Sequence, residues 1–266
     1  MKTIPLGHSG IAVSELCLGI LPFGTKVDEG TSFALLDAYY EAGGRFIDTA
    51  NNYSMWHPGG IGTESETTLG KWMKARGNRD DLVVATKVGF NRCDVGPSLA
   101  RQTIEAEVAG SLARLGADHI DLYYAHADIR QDPLEESLKA FDVLVAAGKV
   151  RALGCSNYRA WRIERARQVS RSHGWAEYCC VQQRHTYLLP RPGASFGAQV
   201  SSNDDLLDYC RENRDFRLLA YSPLLAGAYS RPDKKLSAQY AGAEAEARLA
   251  VLRQVAAEYG AIGLSG

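Results

Sequence analysis

Three apolar, strand-like runs in the first half of the chain each lead into a titratable residue, and the stretches between them have helical spacing. Arg45-Phe46-Ile47 leads into Asp48, Leu82-Val83-Val84-Ala85-Thr86 into Lys87, and Ile120-Asp121-Leu122-Tyr123-Tyr124-Ala125 into His126. Strand–helix repetition of this kind builds a parallel α/β barrel, whose strand ends share one face, the face on which such barrels carry their active sites. Asp48, Lys87 and His126 are therefore expected on a common surface, with Tyr53 five residues beyond the acid.

The rest of the chain fits the same repeat. Residues 3–13 read as a short hairpin, and Leu16 to Gly19 as the first barrel strand. Phe33, Leu36 and Tyr40 share a helix face that Gly43-Gly44 ends, and Leu69, Trp72 and Met73 mark the next helix. Ile104, Val108, Leu112 and Leu115 predict a third helix, and Leu134, Leu138, Phe141 and Val145 a fourth, capped by Gly148. Further strands are expected at Val150 to Gly154, Cys179 to Gln183 and Leu218 to Tyr221. Helices marked by Leu206, Leu207 and Cys210, and by Leu249, Leu252 and Val255, flank the last of these. The expectation is a TIM (β/α)8-type barrel forming a single domain over residues 1–266. It has seven βα units, and no eighth unit is legible before the chain stops at Gly266. Seven units leave a sheet edge unpaired unless something covers it.

Composition narrows the partners. Thirty basic and 31 acidic residues are mixed along the chain, with no basic block or aromatic-basic stripe, which argues against nucleic acid. No apolar run approaches the roughly 20 residues needed to span a bilayer, and the N-terminus lacks a signal-peptide pattern. Cys17, Cys93, Cys155, Cys179, Cys180 and Cys210 form no C-x-x-C pair and no zinc-ligand spacing. They read as free thiols, several of them buried, and a cytoplasmic location is expected.

The four residues suit proton transfer to a carbonyl. Tyrosine is a poor acid, with a pKa near about 10, and an adjacent lysine ammonium is expected to lower it. A carboxylate keeps the lysine charged and aimed, and a histidine nitrogen can orient a carbonyl oxygen toward the tyrosine hydroxyl. No side chain delivers hydride, so a nicotinamide cofactor is implied. The competing structural reading is an Asp48–Lys87 ion pair beside a satisfied core histidine. It accounts for each residue singly but poorly for all four together, three of them at successive strand ends.

The motifs resemble those of the aldo-keto reductases. Phe46-Ile47-Asp48-Thr49-Ala50-Asn51-Asn52-Tyr53 is similar to the family's F-D-T-A-x-x-Y element, and Val84-Ala85-Thr86-Lys87-Val88 to its lysine strand. Leu115-Gly116-Ala117-Asp118-His119-Ile120-Asp121-Leu122-Tyr123-Tyr124-Ala125-His126 resembles L-x-x-D-x-I-D-L-Y-x-x-H. The resemblance implies Tyr53 as general acid, Lys87 and Asp48 as its tuning pair, and His126 as substrate orienter. Gly154-Cys155-Ser156-Asn157 resembles G-x-S-N, which implies Ser156 and Asn157 as partners of the nicotinamide carboxamide. Gln182 is favoured for the same amide, with Gln183 close behind. Ala220-Tyr221-Ser222-Pro223-Leu224 resembles the A-Y-S-P-L turn, which implies Tyr221 against the nicotinamide and Ser222 and Leu224 near the pyrophosphate. NADP(H) is the cofactor implied, with NAD(H) open, because the segment that grips the adenosine 2′-phosphate in the family is not found.

The resulting expectation is a reductase of aldehydes or ketones acting on a small molecule, with no metal, nucleic-acid or membrane partner and an open oligomeric state. The alternative is a non-catalytic cofactor-binding or regulatory barrel. An aldolase-type barrel using Lys87 as a Schiff base leaves Tyr53 and the A-Y-S-P-L turn unexplained. His119, Asp121, His126 and Asp128 are not expected to gather one ion, because strand alternation separates His119 and Asp121 from His126. Gly60-Ile61-Gly62 reads as a loop entering a helix, and Trp56 and His57 as candidate pocket residues.

Overall fold

A computed structural model of the chain describes residues 1–92, 96–231 and 233–260, so Cys93 and the last six residues lie outside the described residues. Strands β1 (Thr3–Pro5) and β2 (Ala12–Ser14) form an antiparallel hairpin. The chain then alternates: β3 (Leu18–Gly19), α1 (Glu29–Glu41), β4 (Phe46–Asp48), α2 (Glu64–Arg76), β5 (Val83–Val88), α3 (Arg101–Leu115), β6 (Ile120–Ala125) and α4 (Leu134–Ala146). It continues through β7 (Val150–Ser156), α5 (Ala160–His173), β8 (Tyr178–Arg184), α6 (Asp204–Glu212), β9 (Arg217–Tyr221) and α7 (Ala243–Glu258). Strands β3 to β9 pair in sequence order, all parallel. β3 begins two residues later than expected, at Leu18, while β7 runs two residues further, to Ser156. Gly148 follows α4 with φ 70°, a conformation that costs a residue without Cβ little.

The sheet curls. Gln182 on β8 donates to Asp48 on β4 at 2.9 Å, yet four strand spacings of about 4.8 Å would separate those strands by some 19 Å in a flat sheet. The seven strands therefore wrap into an open barrel of the TIM type, with β3 and β9 as its two edges among the described residues. Alternation sorts the side chains into two cores. Phe46, Val83, Ala85, Leu122, Tyr124, Ala152 and Cys180 point inward, where Leu6, Ile11 and Val13 of the hairpin close the end opposite the strand C-termini. Ile47, Val84, Val88, Tyr123, Leu153 and Val181 point outward against the helices. Gly154 makes room inside for Tyr124, since a Cβ there would sit 2.6 Å from the ring.

The outer layer holds buried charge. Glu66 on α2 is fully buried, accepting from Thr86 on β5 and pairing with Arg114 on α3 at 2.6 Å. Asp121 on β6 accepts from Arg79 at 2.8 Å and Arg151 at 2.6 Å, on the face opposite His126. Of the described cysteines, Cys155, Cys179 and Cys180 are buried as free thiols; Cys17, at the β3 edge, is exposed. No helix among the described residues is long and apolar enough to cross a membrane.

Helices α2 and α3 approach closely at Gly70, where a Cβ would lie 2.2 Å from the Arg114 carbonyl oxygen. Alanine is the better helix former by about 1 kcal/mol. Gly70→Ala should nevertheless destabilise the fold by about 1–3 kcal/mol through overpacking, read as a lower urea midpoint.

Candidate active site

Asp48 ends β4, Lys87 is the fifth residue of β5 and His126 follows β6, so three neighbouring strands deliver them to the same end of the barrel. Inward parity along β5 (Val83, Ala85, Lys87) and β6 (Leu122, Tyr124, then His126) aims the lysine and the imidazole inward. Tyr53 comes from the turn after β4, and that turn is tied on several sides. Asn51 donates to Glu107 on α3 at 2.7 Å, Asn52 to the Asn91 carbonyl at 3.0 Å, and Ser54 to the Leu21 carbonyl at 2.7 Å. Tyr53 is thereby placed by backbone that cannot easily shift.

Lys87 is the hub. Its Nζ, with no solvent exposure, donates to Asp48 Oδ2 at 2.6 Å, to the Thr49 carbonyl at 2.6 Å and to the Tyr53 hydroxyl at 2.7 Å. All three ammonium protons are used, as a buried charge requires. Tyr53 in turn donates to Asp48 Oδ2 at 3.1 Å, and Gln182 occupies Asp48 Oδ1. Burial pulls the Lys87 pKa below the ordinary lysine value, with the Asp48 carboxylate acting against that pull. Burial, reinforced by Asp48, holds the Tyr53 hydroxyl well above the usual tyrosine range. This corrects the expectation that Lys87 lowers the tyrosine pKa: desolvation and the carboxylate outweigh the ammonium, and the hydroxyl keeps its proton.

His126 lines a cleft of 620 Å³ together with Tyr53, Trp56, Phe90, Asn157 and residues 198–200. Phe90 packs edge-on to its ring at 4.6 Å, and Tyr53 at 6.1 Å. Its Nδ1 is buried with no hydrogen-bond partner, and burial, aided by Lys87, holds its pKa well below the ordinary histidine value. The ring is therefore neutral at pH 7. His57, the other histidine considered for the pocket, donates from its ring Nδ1 to the Pro58 carbonyl in its own loop at 3.0 Å.

Ser156 and Asn157 follow each other at the end of β7, opposite Gln182. Ser156 donates to the Gln182 carbonyl at 2.8 Å. Asn157 donates to the His126 carbonyl at 3.0 Å and accepts from the Tyr221 hydroxyl at 2.8 Å and the Val200 amide at 3.1 Å. Ser156, Asn157, Gln182 and Tyr221 thus form one patch continuous with the Asp48–Lys87 centre. Gln183 turns the other way and donates to the Tyr158 carbonyl. Ser222, at φ 56°, and Leu224, exposed, lie in the turn after β9, outside that patch's hydrogen bonds.

A profile of the Aldo/keto reductase family matches residues 15–263. The chain belongs to the aldo/keto reductase family. It is similar to the norsolorinic acid reductase stcV of Emericella nidulans, 40% identical over 191 residues that make up 66% of this chain and 48% of that protein. The uncharacterized oxidoreductase YrpG of Bacillus subtilis is 34% identical over 85% of this chain and 68% of its own. The aryl-alcohol dehydrogenase [NADP(+)] of Phanerodontia chrysosporium is 38% identical over 62% of this chain and 46% of its own. The chain spans about half the length of most of these curated relatives.

Within this family setting, sequence reasoning missed Phe90, the Thr49 carbonyl and the Gln182–Asp48 bond. Simple alternation along β8 misses the last, because a register shift reverses parity before Gln182, and Phe90 lies past a strand end where no periodicity applies. The neutral, buried His126 has a consequence for stability. Below the ordinary value of 6.5 the unfolded chain takes up a proton at this site that the folded chain refuses, so stability is full above that pH and falls on acidification. His126→Asn should flatten the loss of urea stability between about pH 6.5 and 5, with the contrast vanishing at pH 8.

Proposed function

We propose that this chain is a carbonyl reductase that uses a nicotinamide cofactor, with Tyr53 as the general acid. The observation that carries the reading is the single hydroxyl held between Lys87 Nζ at 2.7 Å and Asp48 Oδ2 at 3.1 Å. A protonated tyrosine beside a buried ammonium can give its proton to a developing alkoxide, and Lys87 is already in place to stabilise the tyrosinate left behind. Asp48 balances the ammonium and, through Gln182, is itself kept from turning. His126, its Nδ1 sealed in the protein, has Nε2 left to meet the carbonyl oxygen and steer it toward Tyr53.

The amide and hydroxyl groups of Ser156, Asn157 and Gln182, with the Tyr221 ring, are the right chemistry for a flat aromatic amide. They are the residues we assign to the nicotinamide, with Ser222 and Leu224 assigned to the phosphates. When bound, the cofactor supplies the hydride. Asn157 already has its oxygen filled by Tyr221 and Val200, so holding a carboxamide requires the Tyr221 hydroxyl to release it. NADP(H) is the cofactor we assign, supported by the name of the Phanerodontia relative. The substrate we assign is an aldehyde or ketone, reduced to an alcohol. A cytoplasmic setting and a single barrel domain belong to the same proposal.

Tyr53→Phe removes the proton and little else. Turnover on a panel of aromatic aldehydes should fall by at least about 10²-fold, while NADPH binding, followed by quenching of protein fluorescence, should stay within about twofold of wild type. Retained turnover would remove Tyr53 from the role.

A further inference from the structure

The cleft beside Tyr53 and His126 has two unlike sides. Trp56, 62% exposed, joins Leu21, Met55 and Phe90 in an apolar and aromatic wall. The other lip carries Asp128, Arg130 and Arg159. Asp128 is already spent: its Oδ1 accepts from Arg162 at 2.9 Å and its Oδ2 from Arg130 at 2.9 Å. Arg130 is further committed to the face of Trp161, at 5.4 Å. Among the described residues, one carboxylate against the guanidinium groups of Arg130 and Arg159 leaves this lip with net positive charge.

Arg159 is the group left over. It stands at the N-cap of α5, two residues after Asn157, and is exposed. Its backbone carbonyl accepts the helix's first hydrogen bonds, but its guanidinium has no hydrogen bond, ion pair or ring contact among the described residues. An uncommitted guanidinium on the rim of a cleft whose one carboxylate among the described residues, Asp128, is doubly paired favours an anion, and its planar fork suits a carboxylate.

We propose that Arg159 determines substrate specificity by pairing with a negative charge on the substrate. On the reductase reading above, on which this rests, the substrate class is an aromatic aldehyde or ketone bearing an acidic substituent remote from the carbonyl. The ring lies along the Trp56–Phe90 wall, the carbonyl reaches Tyr53 and His126, and the acidic group turns to the opposite lip. No bond forms or breaks at Arg159.

The test compares 4-carboxybenzaldehyde with methyl 4-formylbenzoate, which has the same ring and carbonyl without the charge. Binding to the full chain is followed by protein fluorescence and reduction by NADPH oxidation, for wild type and Arg159→Gln. Wild type should favour the carboxylate, an advantage that shrinks with added salt. Arg159→Gln should raise KM for the carboxylate by about tenfold, the scale of one charge-assisted hydrogen bond. KM for the ester, kcat for both, and NADPH affinity should be unchanged, and Arg159→Lys should restore part of the preference. Equal loss for both aldehydes, no preference in wild type, or a loss confined to NADPH affinity would overturn the proposal, the last assigning the guanidinium to a cofactor phosphate. Arg159-dependent carboxylate binding without turnover would uphold this specificity and overturn the reductase reading; turnover of both probes without preference would do the reverse.

Discussion

An ammonium removed from water must find oxygen atoms or lose its charge, and Lys87 has no solvent at all. Its three protons reach Asp48, the Thr49 carbonyl and Tyr53, and each of those contacts constrains a different part of the molecule. Asp48 fixes β4 against β5 in the barrel interior. Thr49 lends the backbone just past the strand, which must turn there for its carbonyl to face inward. Tyr53 is drawn down from its loop onto the same nitrogen. Removing the charge would leave a carboxylate buried without a cation, the costlier half of breaking such a pair.

Gln182 extends this arrangement across the barrel. Its bond to Asp48 spans strands that are four places apart in the sheet, so the chemistry at the centre and the curl of the sheet are the same fact seen twice. The hairpin at the other end completes the enclosure, with Leu6, Ile11 and Val13 sealing the interior beneath Phe46 and Leu122. Between β9 and β3 the described strands do not meet. No residue of β9 is fully buried, which marks it as an edge, unlike the fully buried rows of β5 and β6.

Much of this was legible from residue order. Apolar runs of strand length separated by helical spacing announced parallel βα units, and the motifs around Tyr53, Lys87 and His126 pointed to side chains that the fold brings together as the candidate site. Helix faces such as Ile104 and Val108, or Leu138 and Phe141, follow from 3.6-residue periodicity and are buried as that periodicity requires. The protonation of Tyr53 was not legible. The sign of its shift depends on how completely water is excluded relative to one ammonium 2.7 Å away, and only packing decides that.

The choice between Gln182 and Gln183 shows where the two levels divide. The sequence determined that a glutamine would stand at the end of the strand and that a lysine, an acid and a histidine would stand at the ends of its neighbours. Simple alternation from Tyr178, which faces outward, would send Gln183 inward. A register shift between Leu153 and Gly154 sets Tyr178 and Cys180 opposite consecutive residues of β7, leaving Cys179 unpaired and reversing the parity beyond it. Gln182 therefore reaches Asp48 and Gln183 the Tyr158 carbonyl. Residue type is written in the chain, but which face a strand residue occupies depends on pairing with a neighbour, and that is settled only when the sheet forms.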